Sequence, residues 1–301
     1  MKKIVLALAL AAATSLGTAQ AQTSALGWAA DLAGSCWQGV NARGVQIDRQ
    51  CFQLQFGRFL RGNVTRADGL NSSTVFGRNA ERQRLEMYAW SNNNDPAVYT
   101  PEYDSNGVLA FAEVGGRVVW RRVDGDNFQI VRQRSDGRAW SDISVITYHR
   151  DGAAPAAFEA VGATVTSGSG GFGWLDQEAG HCVHQSEPQV NLHNRGCLSW
   201  EYPHVLRQTW YWGSQAASGE TVMFKIGHNM RFFYWDAQGN FGQGASNFVS
   251  NALYSVKDAS PNQRTSLRRV TDGFNSVTEV RDTESAGRPW TLSHSVRLKH
   301  D

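Results

Sequence analysis

The feature that most constrains this chain is a cysteine spacing that occurs twice. Cys36 and Cys51 lie 15 residues apart, and so do Cys182 and Cys197. Sliding the chain by 146 positions superposes Gly27-Trp28 on Gly173-Trp174, Ala33-Gly34 on Ala179-Gly180, Arg49 on Arg195 and Leu60-Arg61 on Leu206-Arg207. With the cysteines, that makes nine identities in the 35 positions from Gly27 to Arg61, without a gap. A second block closes each copy. Arg121-Arg122-Val123 matches Arg268-Arg269-Val270, and Gly137-Arg138-Ala139-Trp140 matches Gly287-Arg288-Pro289-Trp290. The offset drifts only from 146 to 150, so one layout is used from end to end. Two copies of a unit this long are two domains; solenoids need shorter and more numerous repeats. Residues 22–150 form copy one and 172–301 copy two, with a linker over 151–171 that is rich in Gly, Ser and Ala.

The N-terminus sets the compartment. Lys2 and Lys3 precede the apolar run Ile4 to Ala13, and Ala19-Gln20-Ala21 has the small-x-small pattern of a cleavage site. Residues 1–21 therefore read as a signal peptide cut before Gln22, which places the mature protein in the periplasm or outside the cell. No later stretch is long and apolar enough for a membrane helix. Removing Lys2 and Lys3 from 29 basic residues leaves 27 against 27 acidic ones. A net charge near zero offers no field for nucleic acid.

Each copy reads as β structure. Phe52, Leu54 and Phe56 alternate with Gln53 and Gln55, the period of a half-buried strand. Strands are expected over Val118 to Val123, Phe128 to Arg134 and Ala139 to Tyr148, with Asp124-Gly125 and Asp136-Gly137 as hairpin turns. About eight or nine antiparallel strands per copy are expected, and closure into a barrel removes their sticky edges. The opening Gly27-Trp28 followed by Ala33-Gly34-Ser35-Cys36-Trp37-Gln38-Gly39 resembles the openings of secreted bacterial domains with a lipocalin-like (calycin-type) barrel. Copy two departs from that pattern at Val183 and Gln185. The resemblance implies all-β architecture: two tandem lipocalin-like β-barrels, each with an internal cavity.

In an oxidising compartment the duplicated spacing predicts two disulfides, Cys36–Cys51 and Cys182–Cys197. His181, His184 and His193 crowd the second pair, but copy one has Ser35, Gln38 and Ile47 there, so no metal site is expected. No cofactor is expected. Arg122 shares the strand parity of Trp120, and Arg269 is its counterpart; an inward arginine can pair with a ligand carboxylate. Trp290 and Leu292 share parity with Val296 and Leu298, and His294 falls on that face. The expected ligand-binding residues are thus Arg122, Trp120, Trp140, Arg269, Trp290 and His294. Neither G-x-S-x-G nor H-E-x-x-H occurs. Three functions follow. The first is an exported binding protein for a small hydrophobic or amphipathic ligand. The second is an envelope interaction protein with filled barrels, using exposed aromatics to hold a partner protein or carbohydrate. The third is an enzyme active in copy two alone. Cavity volume separates the first two.

Overall fold

The structure is a computed structural model that describes residues 26–93, 96–104, 106–155, 171–185, 194–213, 216–226, 229–281 and 289–300. The expected signal peptide, most of the linker and His193 lie outside the described residues. Two compact units divide the chain at residue 158.

Copy one contains β1 (Ser35–Asn41), β2 (Gln46–Gln55), β3 (Phe59–Arg66), β4 (Asn71–Asn79), β5 (Arg84–Ser91), β6 (Ala97–Tyr99), β7 (Glu102–Tyr103), β8 (Leu109–Glu113), β9 (Gly116–Arg122), β10 (Asn127–Ser135) and β11 (Trp140–Ala153). They form one antiparallel sheet in the order β6-β5-β4-β3-β2-β1-β11-β10-β9-β8-β7. The sheet curls, because Phe52, Phe76, Met87, Phe111, Trp120, Phe128 and Tyr148 from strands all round it belong to one buried cluster.

Copy two contains β12 (Cys182–Gln185), β13 (Asn194–Tyr202), β14 (Val205–Trp212), β15 (Gly219–Ile226), β16 (Asn229–Asp236), β17 (Phe241–Val249), β18 (Ala252–Lys257), β19 (Gln263–Val270), β20 (Gly273–Val280) and β21 (Thr291–His300). β12 pairs with β21, and the ten strands close into a barrel. The strand counts exceed the expected eight or nine, and copy one remains an open sheet with β6 and β7 at its edges. Those two strands have three and two residues, too short to show an alternation.

Turn chemistry follows the sequence. Asp104 Oδ1 accepts from the backbone N–H of Asn106 and Val108, and Asp236 Oδ1 accepts from those of Gln238 and Asn240. Asp124 and Asp136 make the same Asx closures. Cys36–Cys51 and Cys182–Cys197 are both formed. Each joins directly paired residues of adjacent strands. They lie on the face opposite Trp37 and Val183 and so act as cross-strand staples on the outside of the sheet. Arg49 Nη1 lies 3.4 Å from Cys51 Sγ, and Arg195 Nη2 lies 3.1 Å from Cys182 Sγ.

The two copies share a β-bulge at the same place in their last hairpin. Ser144 pairs with Arg132 and Asp142 with Gln133, which leaves Ile143 extra; His294 pairs with Thr278 and Leu292 with Glu279, which leaves Ser293 extra. A bulge reverses the alternation beyond it. This corrects the expected face of β21: Val296 and Leu298 point inward, whereas Leu292 is 68% exposed.

A 3₁₀ turn precedes each sheet, Gly27–Leu32 in copy one and Gly173–Gln177 in copy two. Leu32 and Leu175 are buried in the respective cores. The shared arginines hold these turns. Arg122 Nη1 lies 2.6 Å from Asp31 Oδ2, while Arg269 reaches Gln177 Oε1 at 2.8 Å and Glu178 Oε1 at 3.4 Å. Asp31 and Gln177 occupy aligned positions, so the latch is duplicated with its arginine.

Candidate functional site

Strand pairing gives the correspondence between the copies residue by residue. Trp120 pairs with Leu109 and Ile130, and Leu267 pairs with Leu253 and Ser276. Tyr148 pairs with Gly39 and Phe128, and Leu298 pairs with Gln185 and Phe274. Hence Leu267 stands where copy one has Trp120, Ser276 where it has Ile130, and Leu298 where it has Tyr148. By the same argument Val183 replaces Trp37, Leu198 replaces Phe52, and Ser255 replaces Phe111.

These replacements decide the two interiors. In copy one, Phe128 stacks on Tyr148 at 4.6 Å, Trp37 meets Phe128 edge-on at 5.1 Å, and Phe111 lies 5.3 Å from Trp120. Tyr103 and Tyr99 pack against the same cluster. In copy two, the smaller side chains surround a cavity of ≈ 450 Å³. That volume falls within the range of small-molecule sites.

The cavity is graded along its length. Its base is capped by Leu175, beside Phe274, which stacks on Trp174 at 5.0 Å. Leaving that base, the lining residues of β18 run Leu253, Ser255, Lys257, and those of β19 run Leu267, Thr265, Gln263. β20 contributes Phe274 and then Ser276, and β15 contributes Met223 and then Thr221. Four strands therefore pass from apolar to hydroxyl side chains, and two of them continue to an amide or a cation. Ser246 and Ser255 share a hydroxyl hydrogen bond of 2.8 Å. Trp210 and Trp212 line the side of β14 away from the base, and Trp212 is 39% exposed. Lys257 Nζ lies 4.2 Å from the centre of the Tyr234 ring. None of the described lining residues is Asp or Glu.

Arg122, Trp120, Trp140, Arg269, Trp290 and His294 are not among these lining residues. Trp120 is 8% exposed and part of the filled core of copy one. Arg122 and Arg269 have the anticipated parity but sit at the end of their strands, on the 3₁₀ turns. Trp140 and Trp290 lie beyond the bulges on the outer face: Arg117 covers Trp140 at 4.4 Å, and Arg264 and Arg281 lie 4.5 and 4.8 Å from Trp290. His294 is exposed. Both cysteines of copy two are committed to a disulfide, and no group of three or more His, Cys, Asp or Glu suited to a metal occurs among the described residues. The residues that reasoning from sequence missed, Ser255, Lys257, Thr265, Leu267 and Ser276, carry a legible signal only when compared with their partners in copy one. No protein-family model matches the chain, and no curated protein matches it.

Proposed function

We propose that the chain is an exported, non-catalytic binding protein that holds one small amphipathic ligand in the barrel of copy two. The observation that carries this reading is the ≈ 450 Å³ cavity, at positions where the duplicate copy holds Trp, Phe and Tyr. Empty volume lined by apolar groups costs stability through lost contacts, and a bound molecule restores them. The lipocalin-like resemblance of the copy openings and the two disulfides fit a carrier working outside the cytoplasm. Copy one, with its aromatic interior, serves as a filled companion domain.

The test is native mass spectrometry of the mature protein purified from its own host compartment, against the denatured chain. A single excess mass that leaves on denaturation supports the carrier. A bare mass, four hydrogens light for the disulfides, moves the weight to a second reading, an interaction protein. That reading is favoured by the outer Trp140, 44% exposed and repeated as Trp290 in copy two.

A further inference from the structure

We infer that the ligand of copy two is a neutral glycoside, its sugar ring stacked on Trp210 and its apolar aglycone directed to the base at Leu175 and Phe274. This rests on the carrier reading and adds the chemical class of the ligand's polar part. Three observations carry it.

The first is an aromatic platform that only copy two possesses. Cys51 pairs with Asn63 and Cys197 with Thr209, so Trp210 stands where copy one has Val64. Val64 pairs with Gln50, whereas Trp210 pairs with Gly196. The valine has become a tryptophan and the glutamine beside it a glycine. A Cβ on Gly196 would come within 3.1 Å of the Trp210 ring, so the glycine lets the indole lie against the wall. Trp210 Nε1 donates to Thr221 Oγ1 at 3.4 Å, which holds the ring in place. The indole lines the cavity, and its negative π face attracts the C–H bonds on the apolar face of a sugar ring.

The second is a set of polar side chains that the protein leaves to a ligand. Phe52 pairs with Gly62 and Leu198 with Gln208, so an amide stands where copy one has a glycine. A Cβ on Gly62 would come within 2.9 Å of the Phe52 ring. That glycine makes room for an aromatic in the filled copy; the hollow copy has a smaller neighbour and a glutamine. Likewise Thr265 and Ser276 replace Val118 and Ile130. β14 and β19 stand half-way round the ten strands from each other, so Gln208 and Thr265 face the lumen from opposite walls. Among the described residues, none is hydrogen-bonded to the side chains of Gln208, Gln263, Thr265 or Ser276. Amides and hydroxyls both donate and accept, which matches the hydroxyls of a sugar.

The third is charge. No described lining residue is acidic, and the two cations of the lining are engaged within the protein. Arg195 Nη2 lies 3.1 Å from Cys182 Sγ, and Lys257 Nζ lies 4.2 Å from the centre of the Tyr234 ring. The polar capacity left for a ligand is uncharged.

The experiment is isothermal titration calorimetry of the full mature chain with octanol, the octyl β-glycosides of glucose, galactose and mannose, and the anionic octyl β-glucuronide. At least one neutral glycoside should bind about tenfold more tightly than octanol, and the glucuronide no more tightly than the glucoside. Trp210→Leu should weaken that glycoside about tenfold and leave octanol unchanged, while Trp210→Phe, which keeps a ring at the wall, should retain most of the affinity. Unchanged octanol binding shows that the variant barrel is intact. Octanol binding as tightly as every glycoside, a preference for the glucuronide, or an unchanged glycoside affinity in Trp210→Leu overturns the sugar and leaves a carrier of another specificity. Leu267→Trp, its fold checked by circular dichroism, separates the two ideas. If that variant binds as well as the native chain, the ligand is not in the lumen and the carrier reading itself fails. If neither octanol nor any glycoside binds the native chain, the carrier reading fails and the glycoside with it.

Discussion

Two buried carboxylates in copy one show how differently the same group behaves when its partners change. Glu86 is fully buried, and burial raises its pKa. The donors outweigh that: Tyr88 Oη at 2.7 Å, and Arg82 Nη1, Arg84 Nε and Asn79 Nδ2 each at 3.0 Å, hold it below the ordinary carboxylate value. Asp48 is the opposite case. It is 7% exposed, Tyr148 Oη reaches Oδ2 at 3.0 Å, and Oδ1 is buried without a hydrogen bond. Burial dominates and its pKa is raised above 3.8, against the lowering by Tyr148, Gln50 and Arg66. The signs for stability are therefore opposed. The Glu86 contribution is present above 4.5, its ordinary value, and is lost as pH falls through the lowered folded value. Asp48 costs nothing below 3.8 and becomes a burden as pH rises through its raised folded value. Asp48→Asn should raise the melting temperature at pH 7 and change it little at pH ~3.5. Equal shifts at both pH values, measured by differential scanning calorimetry, would contradict the assignment. Glu86→Gln should lower the melting temperature at pH 7, since it leaves two arginines and a tyrosine facing a neutral amide.

At the scale of elements, the disulfides and the 3₁₀ latches set how each sheet begins. Cys36–Cys51 closes a stretch of 15 residues, for which chain entropy gives about 3 kcal/mol. Cys51→Ser should therefore lower the melting temperature of copy one while leaving any binding by copy two intact. Unchanged melting would mean the staple contributes nothing. The latches are weaker, because Arg122 and Asp31 are 46% and 57% exposed and such pairs are worth about 0–1 kcal/mol. Arg269 has the more buried partner, Glu178, at 4% exposure. Arg269→Ala should speed hydrogen exchange at the Gly173–Gln177 amides more than Arg122→Ala does at Gly27–Leu32; equal effects would remove the distinction. These elements also show what could be read before the fold was known. The duplicated cysteines and the Asp-led turns were legible, since each rests on spacing or on one side chain bonding its own backbone. The inward side of β9, β10 and β14 to β20 follows from alternation. The face of β21 does not. A bulge is a choice of pairing, and nothing local at Ile143 or Ser293 distinguishes it, so Trp140, Trp290 and Leu292 were placed on the wrong side of that break.

At the scale of the whole molecule, duplication has let two interiors diverge under one layout. Periodicity identifies inward positions but not whether they meet across the lumen, so a filled and a hollow sheet look alike until the copies are aligned through their strand pairing. The exchange of Trp120 for Leu267 lies at the centre of that difference, each in the same place between neighbouring strands. Emptying and filling this position should have opposite costs. Trp120→Leu shrinks a side chain in a packed cluster that includes Phe52, Phe111 and Phe128, and should destabilise copy one, by at most the ~3–5 kcal/mol that truncating a buried aromatic to alanine costs. Leu267→Trp places a larger ring beside existing empty volume, so the overpacking penalty expected in a dense core, about 1–3 kcal/mol, should be absent or reversed. Chemical denaturation of the two variants tests both halves. A large loss of stability in Leu267→Trp would mean that the lumen of copy two cannot accept the ring, and that its emptiness is smaller than the cavity implies. A negligible loss in Trp120→Leu would mean that the aromatic interior of copy one is not tightly packed. The predicted asymmetry follows from the two sequences: one copy fills its interior with its own side chains, and the other leaves a cavity at the same positions.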